Sequence, residues 1–365
     1  MSNEKIKILK MLENGEITAD EASKLLSALE GKSFYTSTNN NNNNNNNSNN
    51  NNNGSSIDFN KILNKITSTT QVLAKKTSQI YNGLEKEFKG IFKNINTSSN
   101  KSNICKEFNI DLTDVNNTLD VKSLNGEMVL KGYNGDKLTL KAIYIPKDIN
   151  ANIDFYNTDN KKYIFTFREE IFEKVSIEVL VPKKYFDTIC VGGLNSNFSL
   201  DSLNFKNIIS DTTNCNGIVE NCEGNDININ NVNGKLIIRG IKSDNLKVCN
   251  INSYVKLKNI DIKNVSVDVL NGEIDVVNDY LNLFDDYKWK LETQNNPINV
   301  EINTDNINYN IDAKTSLGRV NILKNNLIYS EKSDFKVVAI TENKNELFKN
   351  LSLFLETTNS TIILS

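Results

Sequence analysis

From about residue 104 onward one unit recurs: apolar-x-apolar-x-x-apolar-Asn-Gly-x-apolar-x-apolar. Clear copies are LDVKSLNGEMVL (119–130), ICVGGLNSNFSL (189–200), ININNVNGKLII (227–238), LKVCNINSYVKL (246–257) and VSVDVLNGEIDV (265–276). Weaker copies span 289–300, 311–322 and 353–364, and a degenerate one surrounds Asn216-Gly217. The turn positions Asn195, Asn216, Asn233, Asn252, Asn271, Asn295 and Leu317 stand 17 to 24 residues apart, with Asn359 a further 42 beyond. Alternation at period two puts one face of a short strand into a core, and Asn-Gly supplies the left-handed backbone of a tight corner. One unit cannot bury its apolar row alone, so copies must lie on one another.

Two geometries satisfy that pattern. Each unit is one coil of a parallel β-solenoid, or each Asn-Gly is a hairpin turn in an antiparallel repeat or sandwich. The near-constant period favours the solenoid, in which asparagines at equivalent corners stack as hydrogen-bonded ladders. Asparagine is abundant enough for this, at 66 of 365 residues. Residues 131–188 lie between copies and read as irregular early coils or a small sheet closing one end.

Upstream the period changes to that of helices. Residues 1–32 read as a helical hairpin: Ile6, Ile8, Leu9, Met11 and Leu12 stop at Asn14-Gly15, and Thr18 with Glu21 opens a second helix carrying Ala22, Leu25, Leu26 and Leu29. Residues 33–56 are an asparagine-rich linker with no charge and nothing to bury. Residues 57–96 predict one amphipathic helix, with Phe59, Ile62, Ile66, Leu73, Ile80, Leu84, Phe88, Ile91 and Ile95 on one arc. Seven lysines oppose them; less Asp58, Glu85 and Glu87, the segment carries +4. Such a face suits an anionic membrane surface or, better, a partner helix packed in coiled-coil fashion, from another protein or a second copy. The β-strand-repeat domain then occupies 97–365.

The chain has no histidine, which removes Ser-His-Asp and Cys-His chemistry and histidine metal ligands. Cys105, Cys190, Cys215, Cys222 and Cys249 are odd in number and show no CxxC spacing, so they read as free thiols. The N-terminus has no signal-peptide core and no window offers the roughly 20 apolar residues of a membrane-spanning helix, so the expected location is cytoplasmic or membrane-peripheral. A net charge of −3 with three arginines gives no footprint for nucleic acid. No cofactor and no small-molecule substrate is expected. A β-helix carbohydrate-active enzyme would need clustered carboxylates; Asp261, Asp268, Glu273 and Asp275 are neighbours, but on alternating positions that predict solvated strand faces. A self-assembling scaffold, with coils joining at open ends, is a further alternative.

A hairpin of the form KIKILKMLENGEITADEASKLLSALE, then a linker and Asn-Gly strand repeats, resembles the bacterial YvlB-like and LiaX-like proteins. Ile8, Leu12, Gly15, Ile17, Thr18, Glu21, Ala22, Leu25 and Leu26 carry the hairpin part of the match, and VSIEVLVPKKYFDTICVGGLNS the entry to the repeats. The resemblance implies a SHOCT-like hairpin followed by an adhesin-like β-strand-repeat domain of unknown function. It further implies a noncatalytic protein of the Gram-positive envelope or its stress response, with no catalytic residues to carry over.

Overall fold

The computed structural model describes residues 103–158 and 161–365. The expected helical hairpin, the linker and the amphipathic segment with its nine apolar residues, Phe59 to Ile95, lie outside the described residues. What is described is mainly β: 23 strands joined in one hydrogen-bonded sheet system, with one short 3-10 turn at Glu169–Ile171.

The strands form ten levels connected by parallel ladders. In spatial order, level one is Lys162–Thr166 with Phe172–Pro182, and level two is Asn117–Leu124 with Glu127–Tyr133. Level three is Phe186–Leu194 with Asn197–Asp201, and level four is Asn204–Thr213 with Asn216–Glu220. Levels five and six are the long bent strands Glu223–Arg239 and Lys242–Lys258. Level seven is Asp261–Asn271 with Ile274–Asn278, and level eight is Asp286–Thr293 with Ile298–Ile302. Level nine is Lys349–Thr357 with Ile362–Leu364, and level ten is Ile307–Thr315 with Val320–Ile322. At about 4.8 Å per step the ten levels rise about 43 Å.

From level three to level seven each residue pairs with the one 19 positions on, as in Ile189, Ile208, Ile227, Leu246 and Val265. That column continues through Leu119 below and Trp289, Leu353 and Ile311 above, all buried. Beyond the corner a second buried column runs Leu130, Leu200, Val219, Ile238, Leu257, Val276, Val300 and Leu364. Each level therefore closes an apolar row that its neighbour leaves open. The strands flanking each Asn-Gly pair in parallel with the levels above and below, so a hairpin at each turn does not describe them.

Chain order and spatial order part at both ends. Level two comes from residues before level one, and level nine, the last segment of the chain, is threaded between levels eight and ten. The strict succession of neighbours expected from the repeat therefore fails twice. Residues 131–188 do two jobs. Part of them makes level one, while Lys137–Pro146 lies antiparallel on Phe172–Pro182 and is itself covered by Ile104–Asp111. At the far end Lys336–Thr341 lies antiparallel on level ten and carries Leu327–Lys332. Antiparallel strands thus cover both terminal levels, which is how a sheet's unpaired edge is managed.

Candidate interaction faces

The corners carry a continuous amide ladder. Asn195 donates its Nδ2–H to Asn125 Oδ1 (3.1 Å), Asn214 to Asn195 (2.8 Å), Asn233 to Asn214 (2.6 Å) and Asn252 to Asn233 (2.8 Å). Asn271 then donates to Asn252 (3.1 Å), Asn295 to Asn271 (2.5 Å) and Asn359 to Asn295 (2.6 Å). All seven bonds run the same way, and the lowest member, Asn125, donates to the Glu173 carbonyl at 2.8 Å. The sequence pattern placed Asn216 at this corner; the structure places Asn214 there, 19 residues from both Asn195 and Asn233. Asn216 belongs to the strand beyond, where it donates to Asn197 Oδ1 at 3.0 Å.

The expected reason for asparagine holds at only some of these corners. Asn125, Asn195 and Asn214 are left-handed, with φ of 48°, 50° and 55°, whereas Asn233, Asn252 and Asn271 are not. At those three the ladder alone calls for asparagine. Nor is the following glycine chosen for a left-handed φ at Gly126 or Gly272. A Cβ at Gly272 would stand 1.7 Å from the Ser253 carbonyl oxygen, and one at Gly126 would stand 2.8 Å from that of Val175. A second turn column, unnoticed in the sequence, is left-handed throughout: Ser202, Asn221, Gly240 and Asn259, spaced by 19. Its signal was present as small or amide residues at one fixed interval.

Outward side chains form rows across the levels, and ionic partners meet between neighbouring levels. Lys256 Nζ stands 2.7 Å from Asp275, whose carboxylate also accepts the Tyr254 hydroxyl at 3.0 Å, while Lys235 lies 5.0 Å above the Tyr254 ring. This contact with Asp275 holds the Lys256 ammonium above its ordinary pKa. Arg239 pairs with Glu220, and Lys206 with Asp187 at 2.5 Å. On the other face Lys314 stands 3.3 Å from Glu356 on the neighbouring level, while Lys290 stands 2.7 Å from Glu292 on its own strand. Burial pushes the Glu292 carboxyl up, but its hydrogen bonds with Asp268 and Lys290 and the charges of Lys290 and Lys314 outweigh this and hold it below the ordinary range.

The four carboxylates singled out in the sequence are not brought together. Asp275 is tied to Lys256 and Tyr254, Glu273 accepts from Asn299 Nδ2 at 2.8 Å, and Asp268 meets Glu292 on the opposite face. Asp261, predicted outward, is buried at 1% exposure. It accepts the Tyr287 hydroxyl at 2.5 Å and the backbone N–H groups of Asn282 and Leu283, both at 3.1 Å. It thereby pins residues 279–285, the insertion that stretches the 19-residue step to 24 between levels seven and eight. Among the described residues no group of three His, Cys, Asp or Glu is placed to hold a metal ion. The five cysteines are free thiols; Cys215, Cys222 and Cys249 are buried, and burial pushes the Cys222 thiol up to about 12. No described helix is long and apolar enough to cross a membrane.

Comparison with known proteins bears on both parts of the chain. A SHOCT-like domain model matches residues 3–33, and the Toastrack DUF4097 model matches residues 152–347. A candidate adhesin of Bacteroides fragilis is 12% identical, with a TM-score of 0.40 over 73% of this chain and 98% of its own. A candidate adhesin of Parabacteroides merdae is 11% identical, with a TM-score of 0.38 over 72% and 96%. A candidate cell adhesion protein of Clostridium sporogenes is 13% identical, with a TM-score of 0.28 over 72% and 99%. No curated protein matches. The family model ends at residue 347, two positions before level nine begins, and it spans more than half of the sequence: the chain belongs to the Toastrack DUF4097 family and carries a SHOCT-like domain ahead of it.

Proposed function

We propose that this chain is a noncatalytic, adhesin-like structural protein: a closed parallel β-solenoid that offers its sheet faces to a partner and is attached through residues 1–32 and 57–96. The observation that carries the reading is where the charged side chains go. Two of the four carboxylates that could have served as acid and base, Asp275 and Glu273, are engaged by a lysine, a tyrosine or an amide on an adjacent level. Asp268 meets Glu292, which Lys290 also holds, and Asp261 is consumed in holding a loop. A face of paired charges and amides repeated every level suits an extended partner better than a single small substrate.

Attachment rests on the apolar arc from Phe59 to Ile95 and on the SHOCT-like domain, through a protein partner, a second copy or a peripheral membrane contact. The bacterial envelope is the setting that the resemblance implies. Fractionation of native protein into cytosol, membrane and wall, with and without residues 57–96, tests this. Loss of membrane or wall recovery on deletion supports the attachment, and unchanged recovery removes it. For the face, Tyr254→Ala with Lys256→Ala should abolish recovery of the envelope partner while leaving the far-ultraviolet circular dichroism unchanged. A cytoplasmic scaffold assembled end to end is the weaker alternative, because antiparallel strands cover levels one and ten.

A further inference from the structure

Level nine is held in place by its neighbours rather than by its own chain order. The link from level eight to level ten, residues 303–306, skips one level. That is a rise of about 9.6 Å, which four residues at about 3.3 Å each can span. The link therefore leaves a slot between Asp286–Thr293 with Ile298–Ile302 on one side and Ile307–Thr315 with Val320–Ile322 on the other. Residues 349–365 fill it with parallel ladders on both sides. Leu353 stands between Trp289 and Ile311, and Leu364 between Val300 and Ile322. An empty slot would leave two rows of backbone N–H and C=O groups without partners, so something must occupy it.

The filling segment begins after residues 342–348, a connection whose Leu347 is 89% exposed. The connection is fastened at its start, where the Glu342 N–H donates to the Asn326 carbonyl (2.8 Å), and in its middle, where Asn308 Nδ2 donates to the Asn345 carbonyl (2.8 Å) and Asn308 Oδ1 accepts the Asn345 N–H (3.1 Å). The family model also stops before the segment, at residue 347.

We infer that residues 349–365 are an exchangeable coil, and that the slot between levels eight and ten accepts the same segment from a second copy of this chain. In such a reciprocal exchange every ladder bond and core contact of level nine is kept, and only residues 342–348 change course. The intramolecular arrangement then prevails only through the effective concentration that the short tether gives, of order millimolar. Shortening the tether removes that advantage, because the connection must reverse around the first residues of level ten to reach the slot.

The test uses the full chain with residues 343–347 deleted. Light scattering should report twice the monomer mass at concentrations where the unaltered chain is monomeric, with unchanged sheet content. A deleted chain that stays monomeric with the same sheet content overturns the inference. Should the deletion fail to fold, a second experiment decides. Lys288→Cys and Ser352→Cys face each other across levels eight and nine, at a spacing of about 4.8 Å that a disulfide accepts. Equal amounts of heavy- and light-isotope full chains carrying both substitutions are co-refolded at millimolar concentration and oxidised. Exchange gives dimers in which about half of the 288–352 links join a heavy to a light chain. Links confined to single chains at every concentration overturn the inference.

Discussion

Asn214 and Asn252 occupy the same column, and each makes two ladder bonds. Asn214 donates to Asn195 and accepts from Asn233, and Asn252 donates to Asn233 and accepts from Asn271. They differ in backbone: Asn214 is left-handed at φ 55° and Asn252 is not. Both side chains are exposed, so each amide bond is worth about 0.5–1 kcal/mol, and Asn252→Ala should cost about 1–2 kcal/mol. Asn214→Ala loses the same two bonds and also puts alanine, without asparagine's local side-chain hydrogen bonding, in the left-handed region. That adds about 1 kcal/mol, because asparagine tolerates this region better than alanine does. Asn214→Gly removes the ladder bonds without the backbone penalty and should match Asn252→Ala. Urea unfolding followed by circular dichroism ranks the three variants, and amide hydrogen exchange locates the loss at levels three to five for residue 214 and five to seven for residue 252. Equal costs for Asn214→Ala and Asn252→Ala would refute the separation of ladder from backbone. So would an Asn214→Gly as unstable as Asn214→Ala, since the conformational argument would then have no content.

Asp261→Ala leaves the Tyr287 hydroxyl and two backbone N–H groups without their acceptor; a loss of about 3 kcal/mol is expected, with faster amide exchange confined at first to residues 279–285. Gly217→Val drives a side chain into the Phe198 ring, since even a Cβ would stand 2.1 Å from Cζ; it should destabilise by about 2–3 kcal/mol, and Phe198→Leu in the same chain should recover part of this in a double-mutant cycle. The Cys222 thiol is raised to about 12 by burial, above its unfolded value near 8.5. The folded state therefore keeps a proton that the unfolded state loses, and stability present below about pH 8.5 falls as pH rises toward 12. Cys222→Ala should flatten that alkaline decline in a melting-temperature series. A thiol reagent at pH 8 should modify exposed Cys105 well before Cys215 or Cys222.

What could be read from the chain follows from what period-two patterning encodes. Alternation at 227–238 and 246–257 fixed which side chains point inward, because parity is a property of one strand and needs no knowledge of its neighbour. The column from Leu119 to Ile311 was legible for that reason. Three things were not. The degenerate copy was centred on Asn216-Gly217 because that dipeptide imitates a turn, whereas Gly217 is there to make room for Phe198 and the corner belongs to Asn214. The interleaving of levels two and nine left no trace, since an apolar row specifies that it must be covered and not by which segment. Asp261 was assigned to solvent because alternation says nothing of an inserted loop, 279–285, that returns over the strand's first residue and converts a surface position into a buried one.

Because every amide of the corner ladder hands its hydrogen toward the start of the stack, eight small dipoles add head to tail along one edge. The column is polar in the manner of a helix, though built from strand corners, and its two extremities are chemically unlike. One terminates on the Glu173 carbonyl; at the other, Leu317 stands where a ninth amide would have been, 76% exposed and unable to hand the sequence of hydrogen bonds on. The ladder thus spans levels two to nine, and the outermost level at each end stacks by its backbone ladder and apolar row, without a corner amide of its own.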